Sequence, residues 1–92
     1  MSSEFLKIEK FLLGKGFYKI NKEQENNTIW CIYWKENEKI KVEISVSSAG
    51  NIGLWVYTKT FRGLDYHCVL ECTTGWCYLE DLMKLLGCKF WF

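Results

Sequence analysis

The sequence predicts an α+β fold: a two-layer sandwich in which an antiparallel meander sheet of about five strands carries an N-terminal and a C-terminal helix on one face. Three observations predict it. In Lys39-Ile40-Lys41-Val42-Glu43-Ile44-Ser45-Val46 every second residue is apolar, the signature of a half-buried strand. It is one of four consecutive strand-like segments between residues 28 and 73, its neighbours apolar on both faces. Short turns at Glu36-Asn37-Glu38, Ser48-Ala49-Gly50 and about Arg62-Gly63 separate them, as hairpins require. Both ends instead carry apolar residues at helical spacing: Phe5, Ile8 and Leu12, then Leu79, Leu82, Met83 and Leu86.

Helix one is expected from an N-cap at Ser2 or Ser3 to about Leu13, with Gly14 as its stop. Gly16 leads into a strand from Phe17 to about Asn21, and the polar 22–27 segment is expected to be a solvated loop. Further strands are placed at about 28–35, 39–47, 51–60 and 65–73. Helix two begins after Thr73 or Thr74 and ends at Gly87, followed by a short last strand at Phe90-Trp91-Phe92. No linker, low-complexity stretch or proline interrupts the chain.

Opposed residues of an antiparallel pair share a face, so register follows from matching apolar to apolar. That rule pairs Trp34 with Ile40, Ile32 with Val42 and Trp30 with Ile44. It pairs Val46 with Ile52, Ile44 with Leu54 and Val42 with Val56. It then sets Leu54 against Leu70, Val56 against Cys68 and Ile52 against Cys72, and on the first strand Ile20 against Trp30 and Tyr18 against Ile32. The opposite, open face then reads Tyr33, Lys41, Tyr57, His67 in one row. On one side of it lie Cys31, Glu43, Trp55 and Val69, and on the other Lys35, Lys39, Lys59 and Asp65.

Size and composition narrow the function. Ninety-two residues suit one domain with one core, and a chain 49% apolar and 17% aromatic should fold without a metal or disulfide. A net charge of +1 argues against an acidic DNA mimic and against holding nucleic acid mainly by charge. No apolar run reaches the ~20 residues of a membrane span. Phe11-Leu12-Leu13 is preceded by Lys7, Glu9 and Lys10, which does not suit a signal peptide. With five cysteines, an odd count, a cytoplasmic location with free thiols is expected.

The chemistry-bearing residues are few. His67, Cys68, Cys72, Cys77 and Cys88 lack a C-x2-C knuckle, and on a strand Cys68 and Cys72 stand about 13 Å apart, too far for one metal. No metal and no cofactor is therefore expected. The single histidine lies about 14 Å from Cys31, the thiol on its face, so no nucleophile–base pair forms and no enzyme is expected. Gly14-Lys15-Gly16 lacks the helix that a phosphate loop needs. Lys59 opposite Asp65 reads as a cross-strand ion pair.

What remains is the open face. Tyr33, Lys41, Trp55, Tyr57, His67 and Lys59 are candidate partner-binding residues, joined by Phe61 and Arg62 at the 60–64 tip, which holds the only arginine. Tyr and Trp are the side chains that protein interfaces concentrate. The function expected is a small cytosolic, non-enzymatic protein-binding module, with an anti-CRISPR-like inhibitor of a host defence complex, carried by a phage or mobile element, as its specific form. The rival expectation is single-stranded nucleic acid, bases stacking on the same rings and lysines following the phosphates. A homodimer burying the face is a third. An ordinary structural role for these rings, shielding one another and the lysine stems, competes with all three.

Overall fold

The computed structural model describes residues 3–59, 66–81 and 84. Helix α1 (Ser3–Gly14) precedes strands β1 (Tyr18–Glu25), β2 (Thr28–Glu36), β3 (Ile40–Ser47), β4 (Asn51–Lys59) and β5 (Tyr66–Gly75). The strands form one antiparallel sheet in the order β1-β2-β3-β4-β5. A 3-10 turn at Trp76–Tyr78 leads into a C-terminal helix, helical at 79–81 and 84. The α+β arrangement expected from the sequence is thus the one observed. The 60–64 tip with Phe61 and Arg62, Asp65, Cys88, most of the apolar stripe of helix two and the last strand fall outside the described residues.

One face of the sheet holds the core. Phe5, Ile8 and Leu12 of α1 pack with Phe17, Cys31, Tyr33, Val42, Ile44, Val46, Ile52, Leu54, Val56 and Leu79. Phe5 also meets Trp76 edge-on at 6.4 Å, so α1 and the segment around Trp76 and Leu79 cover the same side. The β3–β4 register is the expected one: Val42 opposes Val56, Ile44 opposes Leu54 and Val46 opposes Ile52.

Helix α1 stops differently. Phe17 N–H donates to the Leu12 carbonyl and Gly16 N–H to that of Leu13, both at 3.1 Å. Gly16 has φ +91°, so this is a Schellman stop with glycine in the left-handed region. Gly16, not Gly14, ends the helix, and Leu12 and Phe17 are both buried beside it. The Lys35 ammonium donates to the Lys15 carbonyl at 2.7 Å, satisfying another helix-end acceptor.

The polar 22–27 segment is strand and turn rather than loop. Glu25 opposes Thr28 across a turn of Asn26 and Asn27, and Asn26 takes φ +55°, which Asn tolerates better than most residues. β1 is exposed throughout. An edge strand rich in charge needs no apolar face and resists pairing with other chains. Tyr18 opposes Trp34 rather than Ile32, and Ile20 sits at a register break instead of opposing Trp30.

The largest correction is in β2. Trp34 opposes Glu43, Tyr33 opposes Ile44 and Cys31 opposes Val46. This is an odd shift from the expected pairing, so every β2 side chain changes face. Cys31 and Tyr33 enter the core, while Trp30, Ile32 and Trp34 face the other way. The turn fixes this: the Asn37 carboxamide oxygen accepts the Lys39 and Ile40 N–H groups at 2.7 and 3.0 Å, and Asn37 N–H donates to the Ile40 carbonyl at 3.0 Å. The tip is therefore Glu38-Lys39, and Asn37 faces Ile40.

β5 is displaced by two residues over its C-terminal half, with Leu54 opposite Cys72, Val56 opposite Leu70 and Ile52 opposite Thr74. A register break between Val56 and Tyr57 then places Cys68 opposite Tyr57 and His67 opposite Thr58. Val69 is the extra backbone residue of this bulge.

Candidate functional site

The face away from α1 is built from alternate residues of all five strands, and its centre is aromatic. Trp34, Glu43, Trp55 and Glu71 form one cross-strand row; Glu36, Lys41, Tyr57 and Cys68 form the next. Ile32, Ser45, Gly53 and Thr73 form a third on the other side. Tyr18 borders the array from β1, edge-on to Trp34 at 6.5 Å, and its hydroxyl donates to Glu36 at 3.3 Å.

Of the expected site residues, Lys41, Trp55, Tyr57 and Lys59 do lie here. Tyr33 does not: it is buried in the core, where its hydroxyl donates to Glu9 of α1 at 2.9 Å. Burial, then the Glu9 carboxylate, pushes the Tyr33 phenol well above its ordinary range. Lys35 has followed Tyr33 across the sheet, opposite Val42, and Lys39 occupies the hairpin tip. His67 has also left the row, because the β5 bulge gives its place beside Tyr57 to Cys68. Cys31, expected on this face, is buried in the core. Phe61 and Arg62 are outside the described residues.

The lysines that remain are committed to the protein itself. The Lys41 ammonium stands 3.7 Å from the Trp34 ring centre and 5.1 Å from that of Tyr57, and Lys41 is only 7% exposed. Two ring faces attract its charge while it is shielded from water. The Trp34 indole N–H donates to Glu43 at 2.7 Å. Lys59 pairs with Glu36 at 3.1 Å, and that ammonium holds the Glu36 carboxyl below its usual range. Burial first, then the carboxylate of Glu43, raises the Tyr57 phenol.

Beside the Lys41 box lies a depression of about 340 Å³, lined by Glu23, Glu25, Trp30, Ile32, Ser45 and Trp55. Its shape follows from small residues on the central strands. Ser45 and Ser47 stand where a strand usually carries branched side chains, and Gly53 has none. The Trp55 indole leans back over Gly53, where an added Cβ would come within 2.3 Å of the ring. Trp30 and Ile32 rise on the β2 side, and β1 contributes the two carboxylates. None of Glu23, Glu25, Trp30 or Ile32 follows from the expected register; Ser45 does, because the alternation of Val42, Ile44 and Val46 already turns it to the open face. Gly53 inside a strand and serines in a β-branched run were the available signals.

The thiols do not gather. Cys68 and Cys72 oppose Tyr57 and Leu54 respectively and so face opposite sides of the sheet. Cys31, Cys68, Cys72 and Cys77 are free, and no cluster of three metal-ligating side chains occurs among the described residues. No helix among those residues is long and apolar enough to cross a membrane. Compared with protein-family models, curated proteins and solved structures, the chain matches none.

Proposed function

We propose that this protein is a non-enzymatic protein-binding module acting through the Trp30–Ile32–Trp55 side of its open sheet face. The carrying observation is that face's charge: its aromatics are rimmed by Glu23, Glu25, Glu43 and Glu71, while Lys41 and Lys59 are engaged within the chain. Stacking of single-stranded nucleic acid needs cations free to follow phosphates, and carboxylates around the rings oppose it. A partner with apolar and basic groups suits the face. Occlusion of a larger assembly, as by an anti-CRISPR-like inhibitor acting in the cytoplasm, is the specific form of this proposal.

The test is capture of partners from a lysate of the source cells, with and without nuclease. A protein retained after nuclease, and lost with Trp30→Ala or Trp55→Ala, is the expected result; a central interface tryptophan contributes about 2 kcal/mol, roughly 30-fold in affinity. Recovery of nucleic acid alone, abolished by nuclease, overturns the proposal.

A further inference from the structure

We infer that the depression between Trp30 and Trp55 is a cation site that seats an arginine side chain of the partner, its guanidinium against the indoles and facing Glu23 and Glu25. This rests on the protein-binding reading of the face and names the chemistry that the face recognises.

Three observations carry it. The first is composition: two indoles, an isoleucine, a serine and two carboxylates line the space, with no basic residue of the described chain among them. Glu23 accepts one hydrogen bond from the Asn21 carboxamide at 3.1 Å, and Glu25 has no ion pair among the described residues. The second is an internal precedent. In the adjoining rows the same sheet already holds an ammonium against two aromatic rings, Lys41 between Trp34 and Tyr57, with Glu43 bonded to the Trp34 indole. Two rings with carboxylates beside them thus hold a cation once on this face, and the depression repeats those groups. The third is size: about 340 Å³ falls at the small end of ligand pockets, which run from roughly 300 to 1,000 Å³, and takes one side chain rather than a folded element.

Arginine fits better than lysine for a physical reason. Its guanidinium is planar and weakly hydrated, stacks on indole faces, and presents a fork of donors to carboxylates. A lysine ammonium is a compact, strongly hydrated charge that gives up more water on entering such a site.

The test uses isotope-labelled full-length protein and Nα-acetyl-arginine amide as the probe, followed at the tryptophan indole N–H resonances. Nα-acetyl-citrulline amide, a neutral isostere, and uridine monophosphate serve as comparisons. The arginine probe is expected to shift the Trp30 and Trp55 signals saturably, citrulline to leave them in place, and Glu25→Gln to weaken the response about five-fold or more. Gly53→Ala, which forces the Trp55 ring aside while keeping the strand, should weaken it with the fold intact. Equal shifts from citrulline, shifts from the nucleotide alone, or no shift from arginine each overturn the cation site. If arginine fails while a nuclease-resistant partner is still captured through Trp55, the binding face stands and only its cation is removed.

Discussion

Tyr33 joins the two layers through a single hydroxyl. Its phenol is fully buried, and its bond to Glu9 is supported by Lys19, which pairs with the same carboxylate. Lys19, more than Tyr33, holds the Glu9 carboxyl below its usual range, against burial acting the other way. Tyr33→Phe should cost about 2 kcal/mol in urea unfolding at neutral pH, the worth of one hydrogen bond to a charged group. Because the folded phenol is raised, the native state keeps a proton that the unfolded chain loses above pH ~10, so stability falls as pH rises beyond that point. In Tyr33→Phe this alkaline fall should become shallower. The depressed Glu9 acts at the other end: its contribution is present above the ordinary carboxylate range and is lost as pH falls through the folded value. Glu9→Gln should flatten the acid limb of the urea midpoint; an unchanged limb would remove Glu9 from this role. At Gly16 the constraint is backbone, so Gly16→Ala should destabilise by about 1 kcal/mol whereas Gly14→Ala, with nothing within 4 Å of the added methyl, should not.

Strand β2 shows how an element can be clear in existence and ambiguous in orientation. Residues 29–34 are Ile, Trp, Cys, Ile, Tyr and Trp, apolar on both faces, so apolar matching has no preferred answer there. Polar atoms break the tie. With Tyr33 inward its hydroxyl meets Glu9, and with Trp34 outward its indole N–H meets Glu43; buried or half-buried aromatics with polar tips need such partners. β3 is the opposite case: its strict alternation fixed its register with β4 correctly. The same contrast predicts local stability. Hydrogen exchange should find amides of β3, the central strand with most of its residues buried, the most protected. Those of the exposed edge strand β1 should open at much lower free energy, since few buried contacts hold them. Equal protection in β1 and β3 would contradict this arrangement.

For the molecule as a whole, charge on the open face decides between a partner of different chemistry and a second copy. In a two-fold dimer the same patch meets itself, so Glu23, Glu25, Glu43 and Glu71 would face their own counterparts. Lys41 and Lys59 could not relieve this without abandoning Trp34, Tyr57 and Glu36. The protein should therefore sediment as a monomer, and Trp55→Glu should leave that unchanged. A dimer abolished by Trp55→Glu would instead assign the face to self-association.

By itself the sequence determined the fold class, the helix that starts the chain, the β3–β4 pairing and the presence of an aromatic second face. These rest on local periodicity, which a strand half in and half out of a core writes into consecutive residues. Tertiary structure alone decided which aromatics that face presents, exchanging Tyr33 for Trp30 and Trp34, and replacing His67 with Cys68 through the β5 bulge. It also decided the sign of the rim, because Lys35 crossed to the helix side with β2 while Glu23 and Glu25 arrived with a strand that carries no hydrophobic pattern. Register in a strand apolar on both sides, bulges and polar edge strands are settled by turn hydrogen bonds and by partners distant in sequence, and these leave no period to read.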